Sequence, residues 1–592
     1  MKPGISANRR LFLLSLVLMA AITLIYWQVH SFGLITRDDV VTITYPETYP
    51  NLLSRPLTVF TTPMPESAFF WIPVTGFSLI TDALIRPTGF FGLMHLTNVF
   101  YHALNAVILF LLLAYTTRRT RPAFLVALIF AVHPLNVETV TVVSNRATLL
   151  SMFFWMLSMV AYVYYTEKPS WKRYGLIILF FSLGLMAKPA IAGYVFLLPF
   201  LDIWPLRRYG GSASHDASPP AQSVRRLMLE KMPVFSFAAG WVIMSIYFFS
   251  RRPFYDSPLF SVAREAVLSR IINLPVSYFG YVYKFFLPLK MNYFTPAPPL
   301  HDFPLSLSLA AGLAVTAVTV ILIVVLRRHK PLTVGWLWFL IGISPAAMAN
   351  ALMQNFITGR YAYFPLIGLA ITAVWGLDII VEKLSPKKQR IIHCTLIVLA
   401  LLLLGLARQQ TENWRSLISL YRHAISIDPG KSILHLNLGK ALYQNGEADQ
   451  AVAQFQIARR LCPQCPEPLI NLGLAYRLMD NPQLALRFFE KAGTIQPDNM
   501  IINQNLAALY LQQKRFAEAT GLLKRLLAIR PDYSISITYF LAVIYARQND
   551  LENTVYWLKK SVEKNPGVWA MAEQEPVFEA LRKTDQWRAL AP

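Results

Sequence analysis

The sequence is poor in charge, in acid and in cysteine. Only 15% of its 592 residues are charged, against 55% hydrophobic, a balance that excludes a soluble globular chain of ordinary composition. Acidic residues number 32 against 55 basic ones, for a net charge of +23. That excess does not call for nucleic acid, because Lys and Arg sit in short connections between apolar segments, where membrane topology places them. Three cysteines are too few for a disulfide scaffold. Cys394 lies in an apolar run. Cys462 and Cys465 form a C-P-Q-C turn with no second CxxC to complete a zinc site, which leaves a local disulfide in an oxidising compartment or two small residues at a helix end. No small-residue cleavage site follows the first apolar run, from Leu11 to about Val29, so this run reads as an uncleaved first helix behind Lys2, Arg9 and Arg10.

What the first two-thirds of the chain does have is apolar length. Segments approaching the roughly 20 residues that cross a bilayer recur at 11–29, 91–115, 122–134, 147–165, 174–187, 190–204, 233–250, 306–326, 333–350, 363–381 and 391–407. The stretch 271–287 is also apolar, but Pro275 and many aromatics interrupt it. Basic connections at Arg9/Arg10, Arg118–Arg121, Lys172/Arg173, Arg207/Arg208 with Arg225/Arg226, Arg327–Lys330 and Lys383–Arg390 are expected on the cytoplasmic side. Leaving 271–287 as a re-entrant or interfacial piece satisfies all of them. The reading is about eleven spans, a cytoplasmic N-terminus and an external tail, with 30–90, 134–146, 251–305 and 351–361 facing outside.

After Arg408 the apolar runs stop and a period begins. Pro429, Pro463, Pro497, Pro531 and Pro566 are spaced by 34, 34, 34 and 35 residues. A period of 34 is that of tetratricopeptide helix pairs. Asn437-Leu438-Gly439, Asn471-Leu472-Gly473 and Asn505-Leu506-Ala507 keep the same step, as do Ala451, Ala485 and Ala519. The fold expected is all-α: a polytopic membrane domain over 1–410, then a tetratricopeptide-repeat α-solenoid of four units over 411–592. Such arrays present a concave surface to a partner protein, or act as spacers and dimerisation modules.

The outer segments carry the unusual polar residues. Asp38 and Asp39 end a T-R-D-D run, and Arg55 lies in S-R-P-L-T. A carboxylate pair beside a membrane suits a general base, or a divalent cation held near a phosphate, when it is not merely solvated. His95, Asn98, His102 and Asn105 fall within roughly 80° on one helical face at about 100° per residue. That face points to protein or a cavity; simple interhelical bonding is the plain alternative. His133, Glu138 and Arg146 lie in H-P-L-N-V-E-T-V-T-V-V-S-N-R, and Lys188 stands between two short apolar halves. Arg251 opens a long aromatic-rich segment that includes Y-F-G-Y-V-Y-K-F-F, and Arg360 and Tyr361 belong to T-G-R-Y-A-Y-F-P-L, a phosphate clamp or an interfacial anchor. Together they suit an anionic, lipid-linked substrate.

In this order, D-D, S-R-P-L-T, H-x2-N-x3-H-x2-N, H-P-L-N-V-E-T-V with N-R, G-L-M-A-K-P with L-D-I-W-P-L, G-W-L-W-F-L and G-R-Y-A-Y-F-P-L-I-G-L, followed by repeats, resemble the transmembrane and tetratricopeptide repeat O-mannosyltransferase family, and its bacterial relatives in particular. The resemblance implies a GT-C type fold and a polyprenyl-phosphate sugar donor used on the non-cytoplasmic face. Asp38 or Asp39 would then be the catalytic base, and Lys188 and Arg360 would hold the lipid phosphate. Two positions depart from the family pattern: N-R-A-T puts Thr148 where an acid is usual, and G-R-Y replaces D-R-Y. The expected activity is transfer of mannose or a similar hexose to a hydroxyl acceptor, a protein docked on the tail, in a bacterial inner membrane with a periplasmic tail. The competing class is a non-enzymatic scaffold that anchors the repeats for envelope assembly.

Overall fold

The computed structural model describes residues 5–33, 55–60, 71–85, 91–209, 222–250, 272, 274–289, 291, 304–325, 328–353, 359–529 and 534–588. Every regular element among them is helical. The chain divides into two compact units, Met1–His423 and Ala424–Pro592. The sequence boundary stands at 410, but Trp414 and Leu420 are buried in the core of the first unit.

The first unit opens with α1 (Ile5–Tyr26), α2 (Pro73–Ile85), α3 (Phe91–Thr117), α4 (Thr120–Val132), α5 (Val137–Thr141), α6 (Arg146–Glu167) and α7 (Trp171–Ala187). Six described helices combine span length with high hydropathy: Asn8–Ser31, Phe91–Thr117, Val143–Glu167, Val224–Ser245, Leu305–Val324 and Pro386–Asn413. A seventh crossing results if α4 and the Pro134–Thr141 segment, bent by 50°, count as one. By length and hydropathy the described residues thus give six or seven crossings, and the count of about eleven is not established by them. Pro189 divides the 174–204 apolar stretch and leaves α7 at 17 residues, the short end of the roughly 17–25 residues that cross a bilayer. The helix Pro365–Val381 is equally short. The short α2 lies inside a segment read from the sequence as an outer connection.

Small residues set one close helix crossing. Gly335 and Gly368 face each other so tightly that a Cβ on Gly368 would stand 2.4 Å from the Gly335 carbonyl and 2.6 Å from the Phe339 amide. Close backbone approach of this kind is how apolar helices associate in lipid. Gly368→Val is expected to destabilise the bundle by about 1–3 kcal/mol, measured as a lower unfolding midpoint of the purified protein in detergent. An unchanged midpoint would refute the crossing.

The second unit contains the expected pairs: Ser432–Gln444 with Ala448–Leu461, Pro466–Leu478 with Pro482–Ile495, Met500–Gln512 with Phe516–Ile529, and Ser534–Arg547 with Leu551–Lys564. Each periodic proline follows the end of a helix by two residues, where it cannot continue the turn. Pair packing trades volume across the repeat. The Phe455 ring fills the space over Gly439, and the Phe489 ring that over Gly473. In the third unit, the same register holds the buried Ala507 and Leu523. The turns inside the pairs use left-handed residues in register, Gly446, Asp480, Lys514 and Asn549. Cys462, capping the end of one helix, is disulfide-bonded to Cys465, capping the start of the next.

Candidate functional site

The backbone between α4 and α6 is irregular, and sequence explains why. His133 precedes a proline and is extended (φ −73°, ψ 129°), which stops α4; Val142 is extended again (φ −87°, ψ 123°), which stops α5. Each stop strands carbonyl oxygens that no helix satisfies. The polar stripe of α3 meets them. His95 Nδ1 lies 2.6 Å from the Thr141 carbonyl, and its Nε2 lies 3.1 Å from that of Gly33. Asn98 donates to the Val142 carbonyl (2.9 Å) and Asn105 to that of Leu149 (3.1 Å). His102 Nε2 donates to the Ala131 carbonyl (3.1 Å). Its Nδ1, 2.9 Å from the Tyr363 hydroxyl, then accepts that proton, while Asn105 donates to the same oxygen (3.2 Å). All four side chains are fully buried. Their geometry is that of a brace holding the 131–149 segment in place.

Arg146 is the second brace. Its guanidinium, fully buried, donates to Asn98 Oδ1, to Ser78 (2.8 Å), to the Met94 carbonyl (2.6 Å) and to Asp82 Oδ2 (2.8 Å). Thr97 donates to the other Asp82 oxygen (3.0 Å). Asp82 and Tyr363 are partners that the sequence reading did not single out. Asp82 sits in a short apolar helix without a motif, and Tyr363 was one tyrosine among several in its run.

Beside these braces, at the same end of the bundle, cations gather. Glu138, buried, accepts from the backbone amides of Arg360 (3.2 Å) and Gly359. Lys188 stands at the break after α7 and donates to the Thr148 hydroxyl (2.7 Å). The neighbouring Thr75 anchors the end of α7 by donating to the Ala187 carbonyl (3.0 Å). The Tyr361 ring links the two cations, with Lys188 Nζ at 5.8 Å and Arg360 Cζ at 5.2 Å from its centroid. Lys284, near the end of the Leu274–Phe286 helix, also acts on Glu138 through its charge. Three cations thus surround one carboxylate, and all three are partly exposed while Glu138 is not. Desolvation first, then the Arg360 guanidinium, hold the Lys188 ammonium down to about 8, against the opposing pull of Glu138. An excess of accessible positive charge over buried negative charge is what an anion needs.

The remaining candidates are placed elsewhere. His133 is buried and saturated, its Nε2 donating to the Phe285 carbonyl (2.9 Å) and its Nδ1 accepting from the Leu135 amide (3.1 Å). Arg55 is exposed at the head of the Pro56–Phe60 turn, where its carbonyl accepts from Thr58. Asp38, Asp39 and Arg251 lie outside the described residues. A second polar cluster joins the C-terminal half of α6 to later helices. There Arg208 donates to Glu230 (2.7 Å) and Asp202 (3.1 Å), Lys231 donates to Asp202, and the Tyr162 hydroxyl lies 2.6 Å from Asp202. Two cations against two carboxylates leave no charge for a ligand. Arg208, read from the sequence as a cytoplasmic basic connection, is 2% exposed and paired with Asp202 and Glu230.

Fold and site define a bundle of apolar, span-length helices joined to a tetratricopeptide array, with a cationic cluster at one end of the bundle. Family models described as tetratricopeptide repeat match residues 402–466, 436–499 and 477–544. The chain is 24% identical over 404 residues to a protein O-mannosyl-transferase of Caenorhabditis elegans, covering 66% of this chain and 54% of the relative. To human protein O-mannosyl-transferase TMTC1 it is 25% identical over 422 residues, covering 65% and 47%. To human protein O-mannosyl-transferase TMTC3 it is 22% identical over 568 residues, covering 87% and 60%. The chain is thus similar, over most of its length, to proteins named protein O-mannosyl-transferase, with tetratricopeptide-repeat models on its tail. It spans about half the length of the first two of these relatives.

Proposed function

We propose that this chain is a membrane glycosyltransferase of GT-C type that moves mannose or a similar hexose from a polyprenyl-phosphate donor to a hydroxyl of a protein acceptor. The observation that carries the reading is the convergence of Lys188, Lys284 and Arg360 from three distant segments around Glu138. It is a site for an anionic group in a protein whose relatives are named O-mannosyl-transferases. Lys188 meets a neutral Thr148 where the family pattern has an acid, which leaves its charge available to a phosphate.

In the reaction, the acceptor oxygen bonds to the anomeric carbon as the bond from that carbon to the phosphate oxygen breaks. The acceptor proton passes to Asp38 or Asp39, and polyprenyl phosphate leaves with its new charge against Lys188 and Arg360. A single displacement inverts the anomeric centre. The brace residues of α3 and Arg146 act one step back, by fixing the segment that carries Glu138. The reading places the reaction on the non-cytoplasmic face of a bacterial inner membrane, with the repeats in the periplasm as an acceptor-docking arm. The Cys462–Cys465 disulfide supports that side, because such bonds persist in oxidising compartments.

Transfer from mannosyl phosphoryl polyprenol in reconstituted vesicles tests the site. Lys188→Ala and Arg360→Ala are each expected to lower kcat/KM by about 100-fold or more, the scale of losing one preorganised charge contact. Because the Lys188 ammonium is charged only below about 8, kcat/KM of the parent protein should fall as pH rises through that value. Lys188→Arg should keep its activity at higher pH. Alanine variants with parent-like kcat/KM would sink the phosphate assignment.

A further inference from the structure

A cavity of about 1000 Å³ opens between α1, α3 and α6, well away from the cationic cluster. Its size is at the upper end of the roughly 300–1,000 Å³ of small-molecule sites. On α3 its wall runs from Ile108 to Arg118, and on α6 from Leu157 to Glu167. Ten residues of helix rise about 15 Å, half of a hydrocarbon core of ~30 Å, so the groove is one leaflet deep. Polarity changes along that length. The floor is aliphatic, whereas the charged members of the lining, Arg10, Arg118 and Glu167, all stand where α1 begins and α3 and α6 end.

At that mouth the balance is positive. The Tyr115 hydroxyl donates to Glu167, and the Arg118 guanidinium lies 4.9 Å from the Tyr115 ring centroid. Arg173 stacks 3.4 Å from the ring of Tyr164, another lining residue, which adds a third cation next to the mouth. Leu111 and Val160 on the walls remain 40% and 41% exposed, so no described protein segment fills the groove. We infer that this groove binds an anionic phospholipid of the leaflet on that side, with an acyl chain along the α3–α6 floor and the phosphate between Arg10 and Arg118. An apolar trough one leaflet deep with paired arginines at its open end matches the length and the charge order of that molecule. The assignment is independent of the proposed transferase site, which lies at the other ends of α6 and α7.

The test is native mass spectrometry of the full chain, stripped of lipid in detergent and titrated with phosphatidylglycerol or with phosphatidylcholine of the same acyl chains. Each basic side chain near an anionic headgroup contributes about five-fold in affinity, so a preference of more than about five-fold for phosphatidylglycerol is expected. Arg10→Gln with Arg118→Gln should bring the two lipids close to parity. Lys387→Gln with Arg390→Gln, which changes basic residues outside the groove, should leave the preference intact. Leu111→Trp, which fills the floor, should weaken both lipids together, and it decides the matter should the arginine variant not insert. Equal binding by the parent, or a preference that survives the loss of Arg10 and Arg118, would overturn the inference. So would unchanged binding in Leu111→Trp, or retention of polyprenyl phosphate in preference to phosphatidylglycerol.

Discussion

Sugar transfer is expected to fall by about 100- to 10,000-fold in at least one of the variants Asp38→Asn and Asp39→Asn, while the protein still inserts and folds. The substitution keeps size and hydrogen bonding but removes the basic oxygen that the proposed mechanism requires to take the acceptor proton. The two residues are adjacent, so only one of them has to be the base; the other then shows a smaller effect. Transfer to a protein acceptor in reconstituted vesicles, with donor binding measured separately, separates the two roles. A base variant keeps its affinity for the polyprenyl-phosphate sugar and loses turnover, whereas a donor-binding variant such as Arg360→Ala loses both. Full activity in both aspartate variants would remove the base from this segment.

The second large effect concerns stability. Arg146→Met is expected to cost about 3–5 kcal/mol, because it leaves the buried Asp82 carboxylate with Thr97 as its one side-chain partner among the described residues. The cost arises from the stranded charge more than from the lost attraction, and a double-mutant cycle tells these apart. Asp82→Asn combined with Arg146→Met should therefore lose clearly less than the two single variants added together. The readout is the unfolding midpoint of the purified protein. Strict additivity would mean that Asp82 and Arg146 do not depend on each other. The brace would then lie in the Ser78, Asn98 and Met94 contacts.

These variants also show which parts of the molecule its residues made legible beforehand. The repeat register was readable because close packing forces the same small or large residue at each return, as Gly439 with Phe455 and Gly473 with Phe489 show. The helical face shared by His95, Asn98, His102 and Asn105 was readable from spacing alone. What they touch was not, since their acceptors are mostly main-chain carbonyls, and a carbonyl freed by a helix break has no letter in the sequence. Lys188 and Arg360 stood out as charges at the ends of apolar runs. Lys284 did not, because its link to Glu138 joins segments well over a hundred residues apart. Hydropathy also left two features unread: Pro189 divides one apolar stretch into two helical pieces, and Arg208 is buried against carboxylate partners.

The α3 brace has a consequence for how the protein is made. Its bonds to the 131–149 carbonyls join donors to acceptors that follow them along the chain by 29 to 46 residues, from His102 and Ala131 to His95 and Thr141. At roughly 5–20 residues per second, these carbonyls follow within about ten seconds of synthesis. Four polar side chains thus leave the ribosome before the 131–149 backbone oxygens that they bind. During that interval α3 is a poor candidate for lipid and a good one for a wet or protein-lined holding place. The irregular segment after α4 is thus synthesised after the α3 face whose donors it satisfies.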